Sequence, residues 1–357
     1  MKEFRKKLLD LIPYTPGEQP SSTSKIIKLN TNENPYAPSP ICSIALKEIM
    51  DLGLLRKYPN PISDSLRDSI AKVYGISKEN ILVTNGSDEA IRLLFLGVLG
   101  NQSTIASPDP TYSAYPVFAD TIMVDYRFMK VPLLENFHFD WQSLLATQAD
   151  LVAFANPNAP TSLLEPKEDV LDFVKKFPGF VLCDEAYIDF AKANSSCIQE
   201  ACSSENLFVS RTFSKSYSLA GLRVGFLVGT AKNIAILHKL KDSYNVGMLD
   251  QAIAQAAITD QTYFHEITSK ILATRSSLSS SLIDLGCEVV DSSTNFLFVK
   301  PPKGHKAKDW FEKLKNQGIY IRYFSSGVSA NYIRITIGTN EESNIVLSAI
   351  RNFLEIA

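Results

Sequence analysis

The chain has 357 residues, with 36 lysines and arginines against 38 aspartates and glutamates, and its formal net charge is -2. Hydrophobic residues make up 45% and charged residues 21%, which is typical of a globular protein in water. The balanced charge disfavours a nucleic-acid-binding protein, which needs a basic surface to contact phosphates. No apolar run approaches the roughly 20 residues that span a bilayer, so we expect no membrane partner.

The amino-terminal segment from Met1 to Leu11 is basic and then apolar, but Asp10 interrupts it. This pattern favours a short amphipathic surface helix over a signal peptide. Five cysteines are scattered without a C-x-x-C pair, which predicts reduced thiols and a cytoplasmic location. The four histidines lack the spacing of metal ligands, so we expect no metal.

Short apolar runs alternate with helical patterns through the middle of the chain. The runs predict buried strands at Ile81 to Thr84, Leu151 to Ala155, Phe180 to Cys183, Leu207 to Ser210 and Val224 to Val228. Continuous rather than alternating apolar runs indicate a mostly parallel sheet that is covered by helices on both faces. The fold class is therefore α/β.

The pattern changes after about Gln261. It predicts a long helix from His265 to Leu285, and then strands at Asn295 to Val299, Tyr320 to Tyr323 and Tyr332 to Ile337. Thr339 and Glu342 form a capping box for a last helix. We expect an amino-terminal arm over residues 1–38, a large domain over 39–262 and a small α/β domain over 263–357.

Three polar features follow predicted strands, at the edge where parallel sheets bind ligands. Asn85 to Glu89 combines a glycine turn with a helix start, which suits a phosphate or an ordinary capped helix. Asp184 can hold a cation or cap the next element. Lys215 lies among small hydroxyl residues, eight positions before Arg223, although a lone lysine is most often a solvated surface residue.

The segment from Thr212 to Gly221 resembles the lysine signature of class II pyridoxal-phosphate aminotransferases, and most closely the histidinol-phosphate aminotransferase branch. Supporting matches occur in the same order and spacing through nearly the whole chain. They are Leu29 to Pro35, Lys57-Tyr58-Pro59, Asn85 to Ile91, Pro110-Thr111-Tyr112, Asp184 to Tyr187 and Tyr332 to Ile335.

The resemblance implies an aspartate-aminotransferase-like fold, which is fold type I of the pyridoxal 5'-phosphate enzymes. It has a large cofactor-binding domain and a smaller carboxyl-terminal domain. It also implies a homodimer with active sites at the subunit boundary. The implied reaction moves an amino group between histidinol phosphate and 2-oxoglutarate in histidine biosynthesis.

The same resemblance implies the roles of the cofactor-binding residues. Lys215 joins the cofactor aldehyde covalently and shuttles a proton. Asp184 pairs with the pyridine nitrogen, Tyr187 donates to the ring oxygen, and Tyr112 stacks on the ring, although core packing is its alternative. The residues implied for the phosphate are Arg223, the backbone of Ser87, Asp88 and Glu89, the hydroxyl of Thr212 or Ser214, and Tyr58 from the neighbouring subunit.

Substrate contacts are also implied by the resemblance. Arg334 binds a substrate anion, and Arg322 is the expected second cation, although a strand arginine facing solvent is its alternative. Two arginines that converge on one group favour a phosphate over a lone carboxylate. Tyr14 adds a hydroxyl, and Asn32 or Asn34 faces the imidazole.

One loop departs from the family pattern Asn-Pro-x-Asn-Pro-Thr-Gly. Ala159 replaces the second asparagine, and Ser162 replaces the glycine. Alanine has no side-chain donor, so either Asn158 or Asn156 compensates or Tyr187 acts alone. We expect the loss of this donor to raise the pKa of the Schiff-base nitrogen that joins the lysine to the cofactor.

Other functions stay open on the sequence. The same chemistry on aromatic amino acids and the decarboxylation of threonine phosphate are close enzyme alternatives. A non-catalytic, cofactor-binding regulator is the alternative outside enzymes, and the presence of both Lys215 and Asp184 disfavours it.

Overall fold

The structure is a computed structural model that describes residues 6–9, 11–14, 17–20 and 26–355. The helices in these ranges are α1 Lys6–Leu9, α2 Ile41–Asp51, α3 Asp64–Tyr74, α4 Gly86–Val98, α5 Ala114–Asp120, α6 Trp141–Ala146, α7 Lys167–Lys176, α8 Ile198–Ala201, α9 Ala231–Leu237, α10 Met248–Thr259, α11 Gln261–Asp284, α12 Ala307–Asn316 and α13 Asn340–Glu355. The strands are β1 Ile27–Lys28, β2 Ile81–Thr84, β3 Thr104–Asp109, β4 Arg127–Pro132, β5 Leu151–Ala155, β6 Phe180–Asp184, β7 Leu207–Thr212, β8 Gly225–Val228, β9 Glu288–Val289, β10 Phe296–Lys300, β11 Ile319–Tyr320, β12 Arg322–Tyr323 and β13 Ile333–Thr336.

A seven-stranded sheet has the order β2-β8-β7-β6-β5-β3-β4. Strand β8 is antiparallel to both of its neighbours, and the other pairings are parallel. The predicted mostly parallel sheet is therefore confirmed. The carboxyl ends of β2, β5, β6 and β7 consequently meet at one edge.

Both faces of this sheet are buried, as the continuous apolar runs predict. All five residues of β5 are buried. Val152 and Phe154 belong to one apolar cluster, whereas Leu151 and Ala153 belong to another. Because successive residues of a strand point to opposite faces, each face packs on its own apolar layer.

A second, antiparallel sheet has the order β12-β13-β10-β9. Its apolar core includes Trp310, Ile333 and Phe353, and it also takes in Tyr187 from the segment after β6. Strand β1 pairs with β11, so the amino-terminal segment is fixed against the carboxyl-terminal part of the chain.

Several elements differ in extent from their predictions. The long helix α11 begins at Gln261 and ends at Asp284, and the single strand predicted over Tyr320 to Tyr323 is the two short strands β11 and β12. The predicted amino-terminal helix is α1, and the rest of Met1 to Leu11 lies largely outside the described residues. The capping box is confirmed, because the Thr339 N–H donates to Glu342 Oε2 at 2.8 Å and the Glu342 N–H donates to Thr339 Oγ1 at 3.2 Å. None of the described helices combines the length and the apolar character that a membrane span requires.

Candidate active site

Polar side chains gather at the carboxyl-terminal edge of the large sheet. Asp184 is the last residue of β6, Gly86 opens α4 directly after β2, and Lys215 follows β7 in the loop that returns to β8. We call residues 213–219 the Lys215 loop. The topology therefore brings the three polar features of the sequence to one edge.

Lys215 is a largely desolvated amine. Its Nζ atom donates to the Thr31 carbonyl at 3.2 Å and lies 5.6 Å from the centroid of the Tyr187 ring. Its pKa is lowered to about 8, mainly by burial; the positive charges of Arg334 and Arg223 act in the same direction, whereas Glu33 and Asp88 oppose the shift. A larger fraction of the amine is therefore unprotonated near neutral pH than in an ordinary lysine.

Asp184 is a buried carboxylate with 4% of its surface exposed. Ser210 donates its hydroxyl to Oδ1 at 2.8 Å, and Tyr115 donates its hydroxyl to Oδ2 at 3.2 Å. Burial raises the pKa of Asp184 to about 6, although both hydroxyl donors act against the shift. No cationic side chain pairs with it in the described part of the chain, so the site fits a cationic ligand group.

The Tyr187 hydroxyl is hydrogen-bonded on its acceptor side. Asn32 Nδ2 donates to the Tyr187 hydroxyl oxygen at 2.9 Å, and no described residue accepts the hydroxyl proton in return. Asn32 is itself fixed, because its N–H and its side-chain oxygen both contact Thr336 Oγ1, and its carbonyl accepts from Asn295. Tyr187 is consequently poised as a hydrogen-bond donor.

The Arg223 guanidinium lies at the start of α4. The Arg223 guanidinium donates to Asp88 at 3.2 Å and to Ser214 Oγ at 3.2 Å, and the Tyr112 hydroxyl donates to Asp88 at 3.2 Å. Gly86 has a φ of 77°, and a Cβ built on it would lie 2.7 Å from Arg223 Nη2. The glycine therefore lets the guanidinium approach the helix start, where free N–H groups favour an anion.

Several other predicted cofactor residues have partners within the protein. Thr212 Oγ1 accepts from the Ser214 N–H at 3.1 Å, and the Glu89 carboxylate accepts from the Asn85 N–H at 2.5 Å. Ser87 lies close to Gly225, since a Cβ on that glycine would be 2.5 Å from the Ser87 nitrogen. The backbone of α4 thus packs directly on the first residue of β8.

The two asparagines of the altered loop, Asn156 and Asn158, are both bonded to groups of the protein. Asn158 donates to the Pro110 carbonyl at 3.0 Å and to Thr161 at 2.9 Å. Asn156 exchanges two hydrogen bonds with the backbone of Glu165. Ala159 is buried in the same apolar cluster as Tyr187. Of the predicted ways to compensate, the geometry thus favours Tyr187 acting alone.

The two predicted substrate arginines lie side by side. Arg322 and Arg334 are directly opposite each other on β12 and β13, so both side chains point to one face of the sheet. Their guanidinium carbons lie 5.7 Å and 5.8 Å from the centroid of the Phe324 ring. Burial lowers the pKa of Arg334, and the charge of Arg322 lowers it further. Neither has a carboxylate partner among the residues that the structure describes.

The remaining predicted contacts are less enclosed. Tyr14 is 40% exposed and meets Tyr112 edge-on, with centroids 6.4 Å apart. The Asn34 amide donates to the Lys215 and Ser216 carbonyls, at 3.0 Å and 3.3 Å, rather than pointing to open space. Tyr58 is 79% exposed and stacks on Tyr244 at 4.5 Å.

Sequence reasoning missed the residues that support the site. Tyr115 and Ser210 hold Asp184 from 69 and 26 residues away. Thr336 and Asn295 hold Asn32 across even longer separations. Ser210 could have been suspected, because it occupies the end of the strand predicted beside Asp184. The others have no local signal.

Comparison with known proteins agrees with this arrangement. The family model described as aminotransferase class I and II matches residues 24–350. The chain belongs to this family. A histidinol-phosphate aminotransferase 1 of Trichormus variabilis is 39% identical over 352 residues, which are 98% of this chain and 99% of the relative. A histidinol-phosphate aminotransferase of Lactococcus lactis is 37% identical over 99% of this chain and 98% of its own length.

Solved structures give the same fold for this aminotransferase. The crystal structure of a Sinorhizobium meliloti histidinol-phosphate aminotransferase in complex with pyridoxal-5'-phosphate has a TM-score of 0.89, 25% identity and 99% coverage of both chains. A Thermus thermophilus aspartate aminotransferase has a TM-score of 0.82 at 17% identity, with 99% coverage of both chains. The predicted aspartate-aminotransferase-like fold is thus confirmed.

Proposed function

We propose that this aminotransferase uses pyridoxal 5'-phosphate to move an amino group from histidinol phosphate to 2-oxoglutarate. The products are imidazole-acetol phosphate and glutamate, and the reaction belongs to histidine biosynthesis. The observation that carries the substrate assignment is the pair Arg322 and Arg334 on one face of the small sheet. The names of the relatives at 37% and 39% identity support it.

The residues present fit the cofactor in three places. The start of α4 with Arg223 and Ser214 suits its phosphate, which would compete with the Asp88 carboxylate for Arg223. Asp184 is a buried carboxylate that has no cationic partner in the described ranges, and it suits a protonated ring nitrogen. Lys215 is the amine that would hold the aldehyde.

When bound, the cofactor supplies an aldehyde that takes up the amino group and a cationic ring that accepts the electrons of the substrate Cα–H bond. Asp184 would hold the proton on the ring nitrogen. Lys215 Nζ, once the substrate amine has replaced it on the aldehyde, would take the proton from the substrate Cα and return it later, which its lowered pKa favours near neutral pH. Tyr187 would donate its hydroxyl proton to the ring oxygen, and the hydrogen bond from Asn32 would orient the Tyr187 hydroxyl.

The paired arginines suit the phosphate of the amino donor. Two guanidinium groups on one face repel each other, and a dianion between them removes the repulsion and accepts up to four hydrogen bonds. The carboxylates of 2-oxoglutarate can occupy the same place in the second half of the reaction.

We also propose the assembly and the domain division. A homodimer is supported by the exposure of Tyr58 and by the exposed apolar side chains of Ile44, Met50, Leu52 and Leu55 on and after α2. We propose an arm over residues 1–38, a large domain over 39–262 and a small domain over 263–357. The division between the two domains is supported by one apolar core within residues 42–258 and another drawn mainly from residues 271–353. A cytoplasmic location is supported by five cysteines that are all free.

A substrate panel tests the proposed function. Purified protein is given histidinol phosphate, phenylalanine or threonine phosphate, and the transfer to 2-oxoglutarate and the release of carbon dioxide are measured. We expect kcat/KM for transfer from histidinol phosphate to exceed that from phenylalanine at least about 100-fold, since two adjacent guanidinium groups are left unpaired by a substrate without a phosphate. Faster transfer from phenylalanine, or carbon dioxide from threonine phosphate, would contradict the assignment.

A matched pair of variants tests the role of the arginines. We expect Arg322→Ala to raise KM for histidinol phosphate about tenfold or more and to change KM for phenylalanine little. Arg127→Ala, which removes an exposed arginine from the edge strand β4, serves as the control. If Arg322→Ala raised KM for both substrates equally, Arg322 would not bind the phosphate.

A further inference from the structure

A buried charged group lies behind the Lys215 loop, outside the predicted site. Arg211 on β7 is 3% exposed and donates to Glu185 at 3.3 Å, to the Tyr74 hydroxyl at 3.0 Å and to Asp189. The Ser216 hydroxyl donates to the other oxygen of Asp189. We call Arg211, Glu185, Asp189 and Ser216 the Arg211 bridge.

The Arg211 bridge joins the neighbours of the two central groups of the site. Glu185 directly follows Asp184, and Ser216 directly follows Lys215. Glu185 is fixed in turn by the Ser196 hydroxyl at 2.5 Å and the Cys197 N–H at 2.6 Å. The residues that follow Asp184 and Lys215 are therefore connected through charge-assisted hydrogen bonds, which are roughly twice as strong as neutral ones.

The loop is also held from its other side. The Asn34 amide donates to the carbonyls of Lys215 and Ser216. The Ser218 hydroxyl of the same loop, in contrast, is buried without a partner among the described residues. Specific contacts thus concentrate on Lys215 and Ser216.

We infer that the Arg211 bridge is a positioning device, in which Ser216, Asp189 and Arg211 fix the place of the Lys215 amine relative to the Asp184 carboxylate. The inference rests on the proposed function, because it assigns these residues to the same reaction. They act through Lys215 and touch no reacting atom. A buried ion pair is weak evidence for stability, so a geometric role accounts better for a buried arginine held between the buried Glu185 and the partly buried Asp189.

The bridge acts through position rather than through charge. The charged groups with the largest effect on the pKa of Lys215 are Arg334, Glu33, Arg223 and Asp88, and the aromatic ring over the amine is Tyr187. Members of the bridge are not among them. Burial is the main cause of the lowered pKa, so a loosened loop exposes the amine to water and raises the pKa.

The test removes one hydroxyl at a time from the same loop. Full-length protein freed of cofactor is labelled with acetic anhydride over a pH series, and the Lys215 peptide is quantified by mass spectrometry. We expect Ser216→Ala to raise the pKa of Lys215 by about one unit toward the ordinary ~10.4. We expect Ser218→Ala, the matched control, to leave the pKa unchanged.

Kinetics of the holoenzyme provide a second readout. We expect Ser216→Ala to lower kcat about tenfold with little change in KM, since a displaced amine affects the proton transfer and not substrate binding. Asp189→Asn breaks the ion pair with Arg211 and should raise the pKa of Lys215 more than Ser216→Ala does. An unchanged pKa of Lys215 in both variants, or equal shifts in Ser216→Ala and Ser218→Ala, would overturn the inference.

The labelling result is independent of amino transfer. If wild type transfers no amino group but Ser216→Ala still shifts the pKa of Lys215, the proposed function fails and the positioning role stands. If transfer is normal and the pKa does not move, the positioning role fails alone.

Discussion

At the scale of single residues, Asp184 shows how burial alters a carboxyl group. Its donors are the hydroxyls of Ser210 and Tyr115, which compensate a negative charge only in part. Its pKa therefore rises from 3.8 to about 6. Because the folded state favours the protonated form, Asp184 contributes stability below pH 4 that is lost as the pH rises through about 6.

The variant Asp184→Asn tests this linkage in protein freed of cofactor. Asparagine is neutral at every pH, so the free energy of unfolding of wild type relative to the variant should fall by roughly 3 kcal/mol between acidic and neutral pH. Urea unfolding at a series of pH values measures the difference. A difference that stays constant with pH would show that Asp184 keeps an ordinary pKa.

Ala159, which stands where the family pattern has asparagine, leads to a second prediction for a single residue. With Asn158 and Asn156 bonded to their own loop, an added carboxamide at position 159 would supply the second donor to the ring oxygen. This donor would favour the deprotonated form of the nitrogen that joins Lys215 to the cofactor. Ala159→Asn should therefore lower the pKa of that nitrogen by about one unit. Absorbance of the holoenzyme during a pH titration gives the midpoint.

Ser162, which replaces the glycine of the family pattern in the same loop, provides the control for this titration. Ser162 has a φ of 68°, and its hydroxyl donates to the Asp291 carbonyl at 3.0 Å. Ser162→Gly should therefore leave the midpoint where it is. If Ala159→Asn gave the wild-type midpoint, the missing donor would have no role in tuning the cofactor.

At the scale of elements, the start of α4 depends on a residue without a side chain. The positive φ of Gly86 strains any larger residue, and a Cβ there would lie 2.7 Å from Arg223 Nη2, so the guanidinium would have to move. Gly86→Ala should displace the guanidinium and weaken pyridoxal 5'-phosphate binding at least about tenfold. Gly100→Ala is the matched control, because a Cβ there meets nothing within 4 Å. Fluorescence titration with the cofactor compares the two, and equal affinities would contradict the role of Gly86.

Strands could be predicted where their sequence reflects burial. Strand β5 has five buried residues in a continuous apolar run, and its predicted bounds match the observed ones. Strands β3 and β4 are not predicted, because Ser107 and Pro108 interrupt the apolar run of the first, and the second lies at the sheet edge with one buried residue, Val131. Their pairing comes from tertiary contact, which no local pattern records.

The residues of the candidate site likewise fall into those that the sequence predicts and those that it does not. Residues that follow strands, such as Asp184 and Lys215, carry a signal in the order of the elements, because parallel strands bring their ends together. Supporting residues such as Tyr115 and Arg211 were not predicted. Their partners are selected by packing between segments that are distant in sequence, so each looks like an ordinary strand or helix residue on its own.

At the scale of the whole molecule, the segment after β1 connects the two sheets. Leu29 packs in the core of the small sheet, while the Thr31 carbonyl accepts from Lys215 and the Asn34 amide holds the Lys215 loop. Asn32 contacts Thr336 of β13 and also Tyr187. A shift of the small sheet would therefore be transmitted to the lysine through residues 29–34.

Tyr58 extends this argument to the proposed dimer. Its side chain is 79% exposed in the single chain, yet the resemblance places it at the phosphate of the neighbouring subunit. If each site takes Lys215 from one chain and Tyr58 from the other, a hybrid of Lys215→Ala and Tyr58→Ala chains contains one intact site and one doubly altered site. Co-refolded equal amounts should then recover about a quarter of wild-type activity, since half of the dimers are hybrids with one working site.

The mixture of Lys215→Ala with Asp184→Ala is the control for this experiment. Both side chains belong to the same chain's site, so every site in that hybrid lacks one of them and no activity should return. Recovery is measured as amino transfer from histidinol phosphate after the mixed chains are separated from aggregates by size. If the two mixtures recovered equal activity, or if the first recovered none, Tyr58 would belong to the site of its own chain. The proposed sharing of sites would then be wrong.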